Sequence, residues 1–226
     1  EAMFIDQHLS ETVELLRTQQ IPPVDIAVIE AVAITEQGGI VPTTSVGNSA
    51  SFAILAKKVI IEINLSQSDT LEGLHDIYIP SRRPTRQPIP VVSPDDDTVA
   101  ITGHLSEFLL NEVRLGRLTN ELQPLQAGIG TIANSVMHGL IKTPFHNLKM
   151  YSEVLQDSTF DLFDAGKLDF ASGSSITLSA EKYKQVMTDL ARYKHQLILR
   201  PQEISNHPEV IRRLGLICIN TALEFD

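Results

Sequence analysis

A single carboxylate, Glu153, closes the short apolar run Leu148-Lys149-Met150-Tyr151-Ser152 and is followed by Val154-Leu155-Gln156-Asp157. Leu148 to Leu155 reads as a strand ending near Glu153. In open α/β sheets ligand chemistry gathers outside the carboxyl ends of strands, a position that suits a nucleophile. A glutamate in a loop is in most proteins a solvated charge, so residue type leaves both readings open. Upstream, Ala127-Gly128-Ile129-Gly130-Thr131 leads into Ile132, Val136, Met137 and Leu140 at helical spacing. A glycine turn at a helix N-terminus presents backbone N–H groups that can hold a phosphate or a carbonyl oxygen. With no further glycine it is not a dinucleotide fingerprint, and a plain tight turn accounts for it equally. Downstream, Ser205-Asn206-His207-Pro208-Glu209 offers a side-chain amide. Asn206 stands three residues before Glu209, the spacing of a helix cap with a reciprocal acid, so capping competes with a role in chemistry.

These residues need a scaffold. Residues 3 to 17 carry Phe4, Ile5, Leu9, Val13, Leu15 and Leu16 at roughly helical spacing, which predicts a helix ended by Pro22-Pro23. Val24 to Ile34 and Lys58 to Ile63 are rich in β-branched residues and predict two buried parallel strands, with a helix over Ala50 to Lys57 between them. Asp95 to Arg117 predicts a helix whose buried face is Leu105, Phe108, Leu109 and Val113. After Glu153 the expected order is a solvated acidic face at Asp157, Asp161, Asp164 and Asp169, a strand at Leu168 to Ala171 and a turn at Ser172-Gly173-Ser174-Ser175. Then follow a Ser179-capped helix to Tyr193 with Tyr183, Val186, Met187 and Leu190 inward, and a strand from Gln196 to Leu199. Pro80, Pro84, Pro88, Pro90 and Pro94, with Arg82, Arg83 and Arg86 among them, predict an extended connector and a domain boundary, giving domains of residues 1–92 and 93–226. The arginines suit either a solvated face or a phosphate or carboxylate ligand.

Composition narrows the class. A formal net charge of −10 argues against a broad nucleic-acid surface, which needs clustered cations. No apolar run is long enough to span a bilayer, so no membrane association is expected. The single cysteine, Cys218, forbids an internal disulfide and sits in an apolar run, which predicts a buried, inert thiol and fits a reducing, cytoplasmic setting. The seven histidines show no paired ligand spacing, and no metal site is expected.

The stretches around Gly128, Glu153 and Asn206 together resemble the acetyl-CoA hydrolase/transferase family, single-chain CoA-transferases with a glutamate nucleophile. Phe4-Ile5-Asp6-Gln7-His8-Leu9-Ser10, Val41-Pro42-Thr43-Thr44-Ser45-Val46-Gly47-Asn48 and Glu72-Gly73-Leu74-His75-Asp76-Ile77 resemble, in order, motifs of the family's first domain. The resemblance runs from about Ile5 to Asp226. It implies a CoA-transferase-type α/β fold of two related domains with mainly parallel sheets, both incomplete in this chain. It also implies Glu153 as nucleophile, Asn206 as the amide donor to the thioester oxygen, and Ala127, Gly128, Ile129, Gly130 and Thr131 as the CoA-binding loop. The implied function is CoA transfer from a short-chain acyl-CoA to a carboxylic acid through a glutamyl-CoA thioester; the alternatives are an acetyl-CoA hydrolase or a non-catalytic CoA-binding domain. CoA would be a substrate, with no permanently bound cofactor, and a homo-oligomer is expected. One departure stands out. The family carries a longer stretch after the proline-rich connector, so missing residues are expected between Pro88 and Asp95, and both ends are read as internal to a longer polypeptide.

Overall fold

The computed structural model describes residues 4–36, 38–75 and 95–222. The proline-rich connector and the expected gap before Asp95 lie outside the described residues.

The first helix, α1 (Thr12–Arg17), is shorter than its apolar spacing suggests. His8 N–H donates to Glu11 Oε2 and its ring contacts Ser10 Oγ at 2.7 Å, so the chain turns before the helix starts and leaves Phe4 and Ile5 exposed. Strand β1 (Ile26–Ile34) pairs antiparallel with β2 (Ile40–Pro42). Helix α2 (Ser49–Leu55) then crosses to β3 (Lys58–Ile63), which pairs parallel to β1 from Ile26↔Lys58 to Ala31↔Ile63. The expected strand–helix–strand unit is present, but β3 is not buried. It is the edge of a three-stranded sheet ordered β2-β1-β3, and most of its residues are exposed.

Helix α3 (Asp96–Arg114) is capped by the Asp95 side chain, which accepts from the Thr98 N–H at 2.8 Å and from its hydroxyl at 2.6 Å. Leu109 is buried, and Leu105, Leu110 and Val113 pack on the core. Phe108 was expected on that face and is 58% exposed, because its place beside Leu109 rotates it off the stripe.

The second sheet is parallel throughout and ordered β10-β4-β5-β7-β9. Its chain order is β4 (Leu125–Ala127), α4 (Thr131–Gly139), β5 (Leu148–Tyr151), β6 (Val154–Leu155), α5 (Asp157–Asp164), β7 (Leu168–Gly173), β8 (Ser175–Ile176), α6 (Ala180–Thr188), β9 (Leu197–Leu199), α7 (Gln202–Ser205), α8 (Pro208–Leu214) and β10 (Ile217–Ile219). Strands β6 and β8 form a separate parallel pair. The predicted serine turn at Ser172 to Ser175 is therefore the end of β7 and the start of β8. Helix α6 keeps its Ser179 cap but gives way to a 3₁₀ turn at Leu190–Tyr193. The acids of α5 are also more engaged than a solvated face would be. Asp157 accepts from the Ser179 backbone and hydroxyl, Asp161 pairs with Lys182, and Asp164 pairs with Arg192 and accepts from the Tyr193 hydroxyl. Asp164, though paired, and Asp169 are exposed as expected. Cys218 is exposed, not buried, because among the described residues β10 pairs with one strand, β4.

One core joins both sheets: Val32, Val41, Val46, Leu71 and Leu74 cluster with Leu125, Met137, Phe145, Leu148 and Phe160. The backbone stitches the halves as well, through Val46 N–H to Ser174 O, Ile176 N–H to Thr44 O and Leu199 N–H to Leu74 O, each 2.9 Å. At this seam His75 is buried, and its Nε2–H donates to Thr43 O at 2.9 Å. Burial pushes its pKa down to about 4. The folded state thus binds this proton less readily than the unfolded chain, and the stabilisation is complete above the ordinary histidine value of 6.5 and lost as pH falls toward 4. We predict that the unfolding free energy of the whole protein, measured by urea titration, falls between those limits by on the order of 3 kcal/mol attributable to this group. A His75→Gln variant should show a flatter profile there; equal slopes in variant and wild type would remove His75 as the cause.

Candidate active site

The strand predicted over Leu148 to Leu155 breaks where chemistry was expected. After Tyr151, Ser152 N–H still donates to Ser172 O at 3.0 Å. The Glu153 carbonyl then accepts three hydrogen bonds, from Ser174 N–H (2.7 Å), Ser175 N–H (3.1 Å) and Ser174 Oγ–H (3.0 Å). The chain resumes as β6, paired with β8 instead of β7. Glu153 is the hinge of this step between sheets. Its backbone is held from one side, and its half-buried side chain reaches beyond the C-terminal end of the parallel strands.

There the carboxylate meets α7. Gln202 Nε2–H donates to Glu153 Oε1 at 3.1 Å and Asn206 Nδ2–H donates to Oε2 at 3.2 Å. Gln202 and Asn206 are four residues apart on one turn, so their side chains share a face. Asn206 N–H closes that turn on Gln202 O at 2.9 Å. Helix α7 is also tied to the strand that leads into Glu153 by Tyr151, whose hydroxyl donates to Ile204 O at 2.6 Å. Burial raises the Tyr151 pKa, with Arg200 nearby opposing the shift. The capping alternative for Asn206 fails. The cap of α8 is His207, whose Nδ1 accepts from Glu209 N–H, and Glu209 instead pairs with Arg212 and Arg213, which hold its pKa down to about 2.

The glycine turn lies beside this site. Ala127 N–H donates to the buried Ser152 hydroxyl oxygen at 2.9 Å. Gln156 straps the turn, its Nε2–H donating to Gly128 O at 2.9 Å and its Oε1 accepting from Gly130 N–H at 3.2 Å. Gly128 N–H is spent on Ile219 O at 2.8 Å. Gly130 is required by its backbone, whereas a side chain at Gly128 would have only to displace Asn220. A Cβ at Gly128 would lie 2.5 Å from Asn220 Oδ1, and Gly130 has φ +129°. Thr131 begins α4, and Ile129 is half exposed at the tip. The structure therefore brings Asn206 into contact with Glu153 and couples Ala127 and Gly130 to its neighbours Ser152 and Gln156.

Ser152, Gln156 and Gln202 were given no role from sequence, and Ser174 was read only as part of a turn. Gln202 alone left a signal, its i to i+4 spacing from Asn206; the others are linked through tertiary pairing. Among the described residues no group of three or more His, Cys, Asp or Glu could hold a metal ion, and no helix is long and apolar enough to cross a membrane.

Comparison with known proteins bears on this geometry. The family model described as acetyl-CoA hydrolase/transferase N-terminal domain matches residues 1–102. Succinyl-CoA:acetate CoA-transferase of Clostridium kluyveri is 42% identical over an alignment covering 99% of this chain and 48% of that protein. Acetyl-CoA hydrolase of Schizosaccharomyces pombe is 41% identical over 99% of this chain and 50% of that protein. The chain belongs to the acetyl-CoA hydrolase/transferase family. It spans about half the length of these relatives. The alignment with the C. kluyveri protein runs to 257 positions against the 226 residues of this chain, so that relative carries residues without a counterpart here. Among solved structures, 4-hydroxybutyrate CoA-transferase from Porphyromonas gingivalis superposes with a TM-score of 0.69 at 21% identity, over 98% of this chain and 56% of that one. At that identity the likeness shows the fold, an α/β architecture with mainly parallel sheets.

Within this family fold, Ser152 is the direct link between the glycine turn and the strand that carries Glu153. Removing its hydroxyl strands the Ala127 N–H in a buried place, a loss of about 1–3 kcal/mol. Ser152→Ala should therefore lower the melting temperature of the whole protein and speed amide exchange at Ala127. Unchanged exchange there would show that the hydroxyl does not secure the turn.

Proposed function

We propose that the protein is an acyl-CoA:carboxylate CoA-transferase that works through a glutamyl-CoA thioester, with short-chain acyl-CoA of the acetyl, propionyl, succinyl or butyryl class as donor. The observation that carries this reading is the Glu153 carboxylate, held by two amide donors at the C-terminal edge of a parallel sheet and beside a glycine turn. A lone pair on the carboxylate forms a bond to the thioester carbonyl carbon, and the C–S bonding pair leaves on CoA, giving an acyl-glutamyl anhydride and a thiolate. The thiolate attacks the glutamyl carbonyl carbon, the first acid departs as its carboxylate, and Glu153 is left as the CoA thioester. A second carboxylate reverses both steps. No proton need move, so no general base is required.

Asn206 is the donor for charge developing on the thioester oxygen, with about 3 kcal/mol at stake for a well-aimed group. Ala127, Gly128, Ile129, Gly130 and Thr131 form the loop that takes CoA. Gly130 N–H can join it only when Gln156 moves aside, whereas Gly128 N–H remains in its bond to Ile219.

Hydrolysis is the second reading, favoured by the acetyl-CoA hydrolase name of a 41% identical relative. Water in place of the acceptor acid would give it from the same thioester. Product analysis with and without acetate or succinate separates the two, since a transferase makes a new acyl-CoA only when the acceptor is present.

In the full-length protein, acyl-CoA without acceptor should leave a CoA adduct that peptide mapping places on Met150 to Asp157, and Glu153→Ala should abolish it. Borohydride, which reduces a thioester faster than a carboxylate, should inactivate only enzyme exposed to acyl-CoA. Normal turnover with no adduct, together with an active Glu153→Ala variant, excludes covalent catalysis at this residue.

A further inference from the structure

The polarity of the amides around Glu153 is forced by chemistry. A carboxylate only accepts hydrogen bonds, so Gln202 must turn its nitrogen toward Oε1. Its Oε1 then faces away and meets Asn48, whose Nδ2–H donates to it at 3.3 Å. Asn48 is buried and follows directly on Gly47, whose carbonyl accepts the Gln202 backbone N–H at 2.9 Å. Gln202 is thus fixed at its backbone, its amide oxygen and its amide nitrogen, by the turn between β2 and α2 on one side and by Glu153 on the other. The adjacent Glu203 adds a second tie to the same region, accepting from Ser51 Oγ–H at 3.0 Å and pairing with Arg17 at 2.9 Å. Asn206 differs. Its amide nitrogen holds Glu153 Oε2, but its Oδ1 is buried and has no hydrogen-bond partner among the described residues. One donor is locked at both ends and the other at one.

We infer that Gln202, oriented by Asn48, is the positioning residue of the nucleophile: it holds Glu153 Oε1 in place while Asn206 releases Oε2 for attack and turns to the substrate oxygen. The inference rests on the reading of Glu153 as nucleophile and deepens it. A carboxylate tethered through one oxygen keeps its rotamer with a lone pair aimed outward, and orientation of this kind governs the rate of a displacement without adding to the binding of the free substrate. The Asn48 link means that a residue of the first sheet's connecting turn sets the aim of a residue on the second sheet.

The test uses the full-length enzyme, with the single-turnover rate of glutamyl-CoA formation from acyl-CoA as readout beside CoA affinity by calorimetry and the melting temperature. Gln202→Met keeps the length of the side chain and removes both polar atoms. It should slow adduct formation by about 10- to 100-fold, with kcat falling and KM and CoA affinity within about twofold of wild type. Asn48→Ala should slow it less, by about 3- to 10-fold, and the double variant should be no slower than Gln202→Met, because both changes act through one chain of contacts. Gln202→Asn, too short to reach from the same backbone position, should resemble Gln202→Met. An adduct rate for Gln202→Met within about twofold of wild type, or additive losses in the double variant, overturns the inference. Loss of CoA affinity in step with rate would also overturn it, since that marks a structural role. Should Gln202→Met fail to fold, Asn48→Ala decides alone, and a wild-type adduct rate there is fatal. Glu153→Ala keeps the two readings apart. If it still forms the adduct, the nucleophile is misassigned; if it does not and Gln202→Met reacts normally, only the role of Gln202 falls.

Discussion

A carboxylate withdrawn from bulk water has to be met by hydrogen-bond donors, and in this fold that requirement is satisfied by residues far apart in the chain. Glu153 has one amide donor on each side-chain oxygen and three donors on its backbone carbonyl. The donors to the carbonyl come from the junction of β7 and β8, and those to the carboxylate come from the turn after β9. The parallel order β5-β7-β9 places both junctions at the same edge as the end of β5. The parallel order thereby does more than bury apolar strands, since it sets three strand ends side by side where their loops can share one charged group.

Interruption of the strand at Ser152 and Glu153 follows from the same need. A strand that ran on from Tyr151 to Leu155 beside β7 would leave the Glu153 carbonyl in an ordinary ladder and keep its side chain in strand alternation. By shifting to β8 as partner, the chain turns that side chain outward while Val154 and Leu155 remain buried. Gly173 makes the shift possible, because a Cβ there would lie 2.7 Å from the Leu155 side chain. The glycine turn is drawn in by the flanking residues of the same break, Ser152 before Glu153 and Gln156 after it. Glu153 and the glycine turn are therefore positioned by a single five-residue segment.

The secondary elements were largely legible in the sequence. The β-branched runs at Val24 to Ile34 and Lys58 to Ile63, the helix opening at the Asp95 to Asp97 acids, the Ser179 cap of α6 and the glycine turn before α4 all rest on local chemistry, and each is found within a few residues of its predicted place. Family resemblance singled out Glu153 and Asn206, which the structure brings within hydrogen-bonding distance. Exposure was read less well. Cys218, Phe108 and β3 carry apolar character yet face solvent, because burial depends on which neighbour a strand or helix face receives, and that is decided by packing.

What the sequence by itself determined is the set of elements, since periodicity, capping and glycine placement act over a few residues, whereas Glu153 was picked out by family resemblance. Only the tertiary structure decided which donors meet that carboxylate. Asn206 satisfied the spacing of a helix cap and is not one, because His207 takes that place and α7 turns Asn206 toward Glu153. Gln202 and Asn48 are separated by 154 positions and meet through side-chain amides whose orientation is dictated by a third residue. No local pattern encodes such a contact. It exists because the order of strands in the sheet brings the ends of distant segments to one edge, where an acceptor without donors would be too costly to bury.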